Sequence, residues 1–350
     1  SPFPELSFGI TTNEVQGDIG LLISASHNPA DYNGYKITLG NGSQLNQKNK
    51  NAVVAGIAQV KNAEIVLADS LSQAKPGQIV WLGGGVPLEG KDYYGFERID
   101  MHSLHVGQTK KFILNNRVVG EFGGEVKIGY AAFNGAGFKA VPRLLSETGF
   151  TNFKVIGKLN KLDGTFPAWK FGEQPDPGDP ISADIAVQEF IAEHGQQAFD
   201  DLDILVGTDP DADRMGLIVK VPEDQQAFFG KYRLLSANDA WTLLLWYRLT
   251  MKQQMGLLDK PADHTVTFSH VTTDAIEAVA HEFGIDPVGK MLDVTGVIDK
   301  GGYLSGRRTW VGFTYLAEML EDMEQAGRFV EMLAEESNGV SVQGHTKEKD

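Results

Sequence analysis

Asp203-Ile-Leu-Val206 runs without a break into Gly207-Thr208-Asp209-Pro210-Asp211-Ala212-Asp213-Arg214. The first four residues read as a short buried strand, and the rest as a polar loop at its carboxyl end. Upstream, Gly20 to Ser24 reads as a strand that empties into Ser24-Ala25-Ser26-His27-Asn28-Pro29. Helical spacing recurs between such strands: Lys50 to Val60, Phe138 to Glu147, Ala183 to His194, Ala240 to Met251, Asp274 to Phe283 and Tyr315 to Gln325. Further strands are expected over Val126 to Ala132, Phe153 to Gly157 and Thr265 to Ser269. Alternating strands and helices imply an α/β fold with mixed, mainly parallel sheets flanked by helices. Three such sets point to three consecutive domains, 1–115, 116–225 and 226–350, with breaks near 110–125 and 222–235. Gly83 to Gly90 reads as a flexible loop or insertion.

The chain has 350 residues, 42% of them hydrophobic and 22% charged, the composition of a globular protein able to bury large cores. It contains no cysteine. That excludes disulfides, thiol catalysis and thiolate metal sites, and it fits a reducing cytoplasm. A net charge of −15 and a pI near 5.0 argue against nucleic acid and against an anionic membrane surface as partners. No apolar run approaches the roughly 20 residues of a membrane helix. The first residues, Ser1-Pro-Phe-Pro-Glu5, lack the basic and apolar regions of a signal peptide. The sequon Asn41-Gly42-Ser43 is read as chance. Gly83-Gly84-Gly85 lacks the spacing of a dinucleotide fingerprint. No residue pattern sets an oligomeric state.

Three loops carry candidate chemistry. In the first, small residues before Ser26 let the backbone turn sharply, and Pro29 stiffens the exit. A hydroxyl presented in this way can act as a nucleophile or carry a phosphoryl group. His27, and Lys36 of the adjoining Asn33-Gly34-Tyr35-Lys36, supply cations for a phosphate of about −1.5 to −2 charges. The plain alternative is a polar turn capping the next helix. In the second loop, Asp209, Asp211 and Asp213 alternate, so that three carboxylates converge on one hard cation, Mg²⁺ or Ca²⁺. An EF-hand also begins with alternating aspartates, but its sixth position here is Arg214 and its twelfth Lys220, so that reading fails. A solvated acidic turn is the alternative. The third loop, Glu335-Glu336-Ser337-Asn338-Gly339, offers carboxylates and hydroxyls suited to sugar hydroxyls, with His345, Lys347 and Lys349 close behind as a cationic cluster.

Taken in order, these segments resemble the α-D-phosphohexomutases, the phosphoglucomutase and phosphomannomutase superfamily. Ser-His-Asn-Pro with Asn-Gly-Tyr-Lys is similar to its phosphoserine loop, Asp-Pro-Asp-Ala-Asp-Arg to its magnesium loop, and Glu-Glu-Ser-Asn-Gly to its sugar-binding loop. Ala131 to Ala140, Gly230 to Asp239 and Glu348-Lys349-Asp350 add to the likeness. The resemblance implies that Ser26 carries phosphate and joins Asp209, Asp211 and Asp213 in ligating Mg²⁺. It implies Lys36 as general acid/base with His27 assisting, and Arg214 beside the phosphoserine. Gly312 and Phe313 belong to the loop that distinguishes sugar orientation, Glu335 and Ser337 bind the hexose, and Lys349 holds a phosphate. The implied reaction interconverts hexose 1- and 6-phosphates, glucose favoured and mannose possible, through a glucose 1,6-bisphosphate that also serves as activator. A metal-dependent sugar phosphatase and a non-catalytic sugar-phosphate-binding relative are the alternatives. Two departures stand out: the family's fourth domain with its Arg-x-Ser-Gly-Thr loop has no counterpart, nor has its N-terminal start. Thr314 stands where many members have lysine, and Ser24 where threonine is common. Slow turnover by the 350 residues alone is therefore expected.

Overall fold

The computed structural model describes residues 1–60, 68–83, 96–290 and 306–350. Most of the expected insertion after Gly83 lies outside the described residues. At the amino end, helix α1 (Phe3–Thr11) packs against strand β1 (Ile19–Ile23), which pairs antiparallel with β2 (Tyr35–Leu39). Ile23 lies opposite Tyr35, so the serine loop is the connection between these two strands. Helix α2 (Gln47–Ile57) follows, three residues earlier than its spacing suggested, because the Asn46 side chain caps the Asn49 amide. The short strands β3 (Val80–Leu82) and β4 (Glu97–Ile99) pair in parallel. Helix α3 (Met101–Thr109), capped by Asp100, packs against α1, with Gly9 of α1 leaving room for the Met101 side chain.

The largest sheet has the order β6-β5-β7-β8-β9. It comprises β5 (Ile128–Ala131), β6 (Phe153–Val155), β7 (Ile204–Thr208), β8 (Met215–Lys220) and β9 (Tyr232–Leu234). Helix α4 (Asn116–Phe122) precedes it; α5 (Gly137–Thr148), α6 (Pro180–His194), α7 (Gln196–Asp200) and α8 (Gln226–Phe229) lie between its strands in sequence. β5 is buried at all four positions, which is why its sequence lacks polar alternation. β5 pairs in parallel with both β6 and β7, so the chain order reverses between β5 and β7. In open α/β sheets that reversal leaves a crevice beyond the carboxyl ends, where ligands bind. The Asp209 to Arg214 loop lies there.

A three-stranded sheet, the third once the short β3-β4 ladder is set aside, has the order β10-β11-β12, comprising β10 (His264–Phe268), β11 (Phe329–Glu335) and β12 (Gly339–Val342). Helices α9 (Ala237–Gln254), α10 (Ala275–Glu282) and α11 (Phe313–Gln325) flank it. Trp241, Leu245 and Leu249 of α9, spaced at four, are at most 1% exposed and pack with Val266, Phe268 and Met332. Each such buried side chain contributes roughly 1.5–3 kcal/mol.

The sheets are mixed, and among the described residues parallel pairing does not predominate: four ladders are parallel and four antiparallel. Tight connections explain the difference. Parallel neighbours need a crossover of a dozen or more residues, whereas the loops after β7 and β11 are short and can only turn their strands back. The five-stranded sheet runs on through β9, which lies within the 222–235 stretch where a break is expected.

Candidate active site

The serine loop is closed at its neck by a hydrogen bond from the Ser24 amide to the Gly34 carbonyl (3.0 Å). Inside it, Ser26 adopts a left-handed backbone with φ 56°. A non-glycine residue held there stores on the order of 1 kcal/mol, a strain that clusters at functional sites. Its amide donates to Ser24 Oγ (2.8 Å), and Ser24 Oγ in turn donates to Asp211. Ser26 Oγ donates to Asp209 Oδ2 (3.0 Å), with His27 Nδ1 3.3 Å away. The serine hydroxyl therefore faces the acidic loop directly.

In that loop, Asp209 Oδ1 accepts from the amides of Asp213 and Arg214 (3.1 Å each), and Ala212 takes φ 55° to close the turn. The three aspartates are buried, and an oxygen from each lies within 4.8 Å of the others. Burial, and then the charges of Asp213 and Asp211, push the Asp209 carboxyl well above its ordinary range. Burial works the same way on Asp213, but Lys36, Lys349 and Arg214 together outweigh it and lower that group. Lys36, from β2, sits between Asp211 Oδ2 (2.7 Å) and Asp213 Oδ2 (3.1 Å) and 4.5 Å from the centroid of the Phe3 ring. Desolvation disfavours its charge, yet Asp213 and Asp211 prevail and hold its pKa above the usual lysine value. Asp213 Oδ1 is buried with no hydrogen-bond partner. An oxygen-only donor set with an orphaned carboxylate oxygen fits a hard divalent cation such as Mg²⁺.

The sequence reading offered His27 as a cation. Burial, and next the nearby Arg214, depress its pKa and favour the neutral ring, although Asp176 Oδ2 lies 3.7 Å from Nε2. A neutral imidazole beside a serine hydroxyl can accept a proton, and a phosphate there would restore its charge.

The Glu335–Gly339 turn caps the β11–β12 hairpin beside this centre. Glu335 is 3% exposed, and both its oxygens are engaged. Oε1 accepts from the Gly312 amide (2.8 Å), while Oε2 accepts from Ser337 Oγ (2.9 Å) and pairs with Lys349 Nζ (2.9 Å). Burial would raise this carboxyl, but Lys349 above all holds it low. Phe313 is buried in the packing of α11, so its ring does not line an open surface. Asn338, at φ 65°, donates to the Met215 carbonyl (2.9 Å) and locks this hairpin to the residue after Arg214.

The structure thus gathers Ser26, His27, Lys36, Asp209, Asp211, Asp213 and Arg214 into one centre, with Gly312, Glu335, Ser337 and Lys349 adjoining. The sequence reading missed several partners. Asp176 lies in the proline-rich turn Gln174 to Pro180, whose composition signals a turn but not a site. Glu348, held by Gln44 Nε2 at 2.6 Å, is pushed up by burial and by Asp213. The Phe3 ring gave no signal of its own, and Asn338, although inside the Glu335 to Gly339 loop, carried no expected role.

Against this geometry, comparisons with known proteins are specific. The family model described as phosphoglucomutase/phosphomannomutase, alpha/beta/alpha domain I, matches residues 1–64, and that of domain II matches residues 110–222, together just over half of the chain. The chain belongs to the phosphoglucomutase/phosphomannomutase family. A phosphoglucomutase of Staphylococcus haemolyticus is 23% identical over 99% of this chain and 52% of its own length. A phosphoglucomutase of Staphylococcus epidermidis is 27% identical over 73% of this chain and 39% of its own length. A phosphoribomutase of Saccharomyces cerevisiae is 23% identical over 97% and 48%. The chain spans about half the length of the curated relatives it matches. The crystal structure of parafusin, a phosphoglucomutase from Paramecium, in its open form shares the fold with a TM-score of 0.61 at 17% identity, covering 100% of this chain and 54% of that one. Among the described residues, no helix is long and apolar enough to cross a membrane.

Proposed function

We propose that this member of the phosphoglucomutase/phosphomannomutase family is a phosphohexomutase, with Ser26 carrying the phosphoryl group and a hexose phosphate, glucose favoured, as substrate. The observation that carries this reading is the approach of Ser26 Oγ to Asp209 Oδ2 at 3.0 Å, which joins the serine loop to three buried carboxylates. On this reading residues 1–115, 116–225 and 226–350 supply the phosphoserine, metal and sugar loops respectively. Asp209, Asp211 and Asp213, together with the Ser26 phosphate, would hold Mg²⁺. When bound, that ion neutralises charge on the transferring phosphoryl oxygens.

The chain's own residues do the rest. The strained turn presents Ser26 Oγ to substrate. As the phosphoryl group passes to the free hydroxyl of a hexose 1-phosphate, the Ser26 Oγ–P bond breaks and a new O–P bond forms on the sugar. Lys36, held protonated, gives a proton to Ser26 Oγ and recovers the one the sugar hydroxyl loses. His27, 3.3 Å from Oγ, assists at the phosphate, and the serine hydroxyl so formed donates to Asp209 Oδ2. Glu335 and Ser337 bind the sugar hydroxyls, the Gly312 backbone beside Glu335 senses their orientation, and Lys349 and Arg214 balance phosphate charge. The hexose 1,6-bisphosphate then turns over and returns its other phosphate to Ser26.

A single-turnover experiment tests this. Chain phosphorylated at Ser26 is mixed with glucose 1-phosphate and followed by ³¹P NMR. Glucose 1,6-bisphosphate is expected as the first product. Inorganic phosphate without bisphosphate would instead make the chain a phosphatase.

A further inference from the structure

Behind the acidic loop lies a second cluster that the proposed function does not use. His105 comes from α3, and His345 and Asp350 from the segment after β12. One ligand atom from each lies within 4.8 Å of the others. His105 Nε2 is 3.5 Å from Asp350 Oδ1, and His345 Nδ1 pairs with Asp350 Oδ2. The His345 side chain is only 4% exposed, and His105 as a residue 9%. Both nevertheless bury an Nε2 with no hydrogen-bond partner. The two rings stack at 5.3 Å between centroids, and Phe8 and Phe112 wall them in. His105 and Asp350 also line a cavity that reaches Asp213 and Arg214, which gives an ion a way in.

We propose that His105, His345 and Asp350 form a second metal site, for a borderline transition ion such as Zn²⁺, that staples α3 to the segment bearing Lys349. Two imidazoles and a carboxylate are a donor set for Zn²⁺, whereas the all-oxygen aspartate loop suits Mg²⁺. Imidazole must be neutral to ligate. Burial lowers the pKa of both rings, and in His345 the neighbouring His105 adds to it. The site bridges elements more than 200 residues apart in sequence. A bound ion there fixes Lys349, next to Asp350, in register with Glu335.

Co²⁺ is the probe. It is titrated into the full 350-residue chain in excess Mg²⁺ and followed by visible absorption and thermal unfolding. The expected result is one equivalent giving intense four-coordinate bands and a raised Tm. Both effects vanish in His345→Phe and in His105→Phe, which keep the aromatic packing, and persist in Asp211→Asn. Absence of intense bands in the wild-type chain overturns the proposal whether or not the variants fold. So do bands unchanged in both histidine variants, or bands lost only in Asp211→Asn, which would put the ion in the aspartate loop.

Discussion

Lys36 stands between two buried carboxylates, so its loss has consequences for stability as well as for chemistry. In Lys36→Met, Asp211 and Asp213 keep their charges without the ammonium, which costs roughly 3 kcal/mol of stability. A divalent cation placed among the same oxygens offsets that cost. Thermal unfolding with and without Mg²⁺ is therefore expected to show a larger Mg²⁺-induced rise in Tm for the variant than for wild type; an equal rise would mean that Lys36 and the cation do not share those oxygens. His345 sets a pH dependence. Burial, and then His105, depress it from 6.5 to about 3. On those two causes the unfolded chain takes up a proton that the folded chain refuses, so stability falls as pH drops from about 6.5 towards 3, a slope made shallower by the Asp350 carboxylate paired with Nδ1. Measured unfolding free energies should lose part of this slope in His345→Phe. Much of the site was legible at this scale because its motifs are contiguous: Ser26, His27 and Lys36 fall within eleven residues, and the three aspartates within five. Their partners were not. Ser24 meets Asp211 across 187 residues, and no local pattern encodes such a meeting.

At the scale of elements, the turns after the strands hold the site in place. A β-carbon on Gly135 would run into the backbone of Pro210, and the Ala136 amide donates to the Pro210 carbonyl at 2.8 Å. Gly135→Ala is expected to cost about 2 kcal/mol by overpacking. It should also weaken Mg²⁺ binding by calorimetry, since Pro210 lies between two of the aspartates. In the third sheet, Lys252 of α9 reaches both oxygens of Glu331 (2.9 and 2.7 Å), which is fully buried and also meets His264 Nδ1 at 2.8 Å. Lys252→Met strands that carboxylate and should cost roughly 3–5 kcal/mol, and Lys252→Met/Glu331→Leu should recover most of it. Chemical denaturation of the single and double variants checks both expectations. The longer helices of the second and third sets were legible because their apolar stripes are long, whereas α4, α7 and α8, of seven, five and four residues, were not. β9 and β12, of three and four residues, were also missed, because they lack the continuous apolar run that marked the equally short β5. α1 was hidden behind Pro2 and Pro4, although proline in the first turn is compatible with a helix.

For the molecule as a whole, the α/β class followed from the alternation of strands and helices. The balance of parallel and antiparallel ladders depended on connection lengths that pattern alone does not weigh. What the whole fold achieves is convergence: the β1–β2 loop, the β7–β8 loop and the β11–β12 turn come from three different sheets and meet around one set of oxygens. Asn338 and Met215 tie the last two together, and Ser24, Ser26 and Lys36 tie in the first. On the proposed function, this convergence makes Ser26 the phosphoryl carrier. That role is tested most directly by intact-mass analysis of the purified chain after incubation with glucose 1,6-bisphosphate and Mg²⁺, alongside Ser26→Ala. The expected result is a gain of one phosphoryl group, mapped to Ser26 by peptide fragmentation and absent from the variant. No gain in the wild-type chain, or a gain that persists in Ser26→Ala, would contradict it.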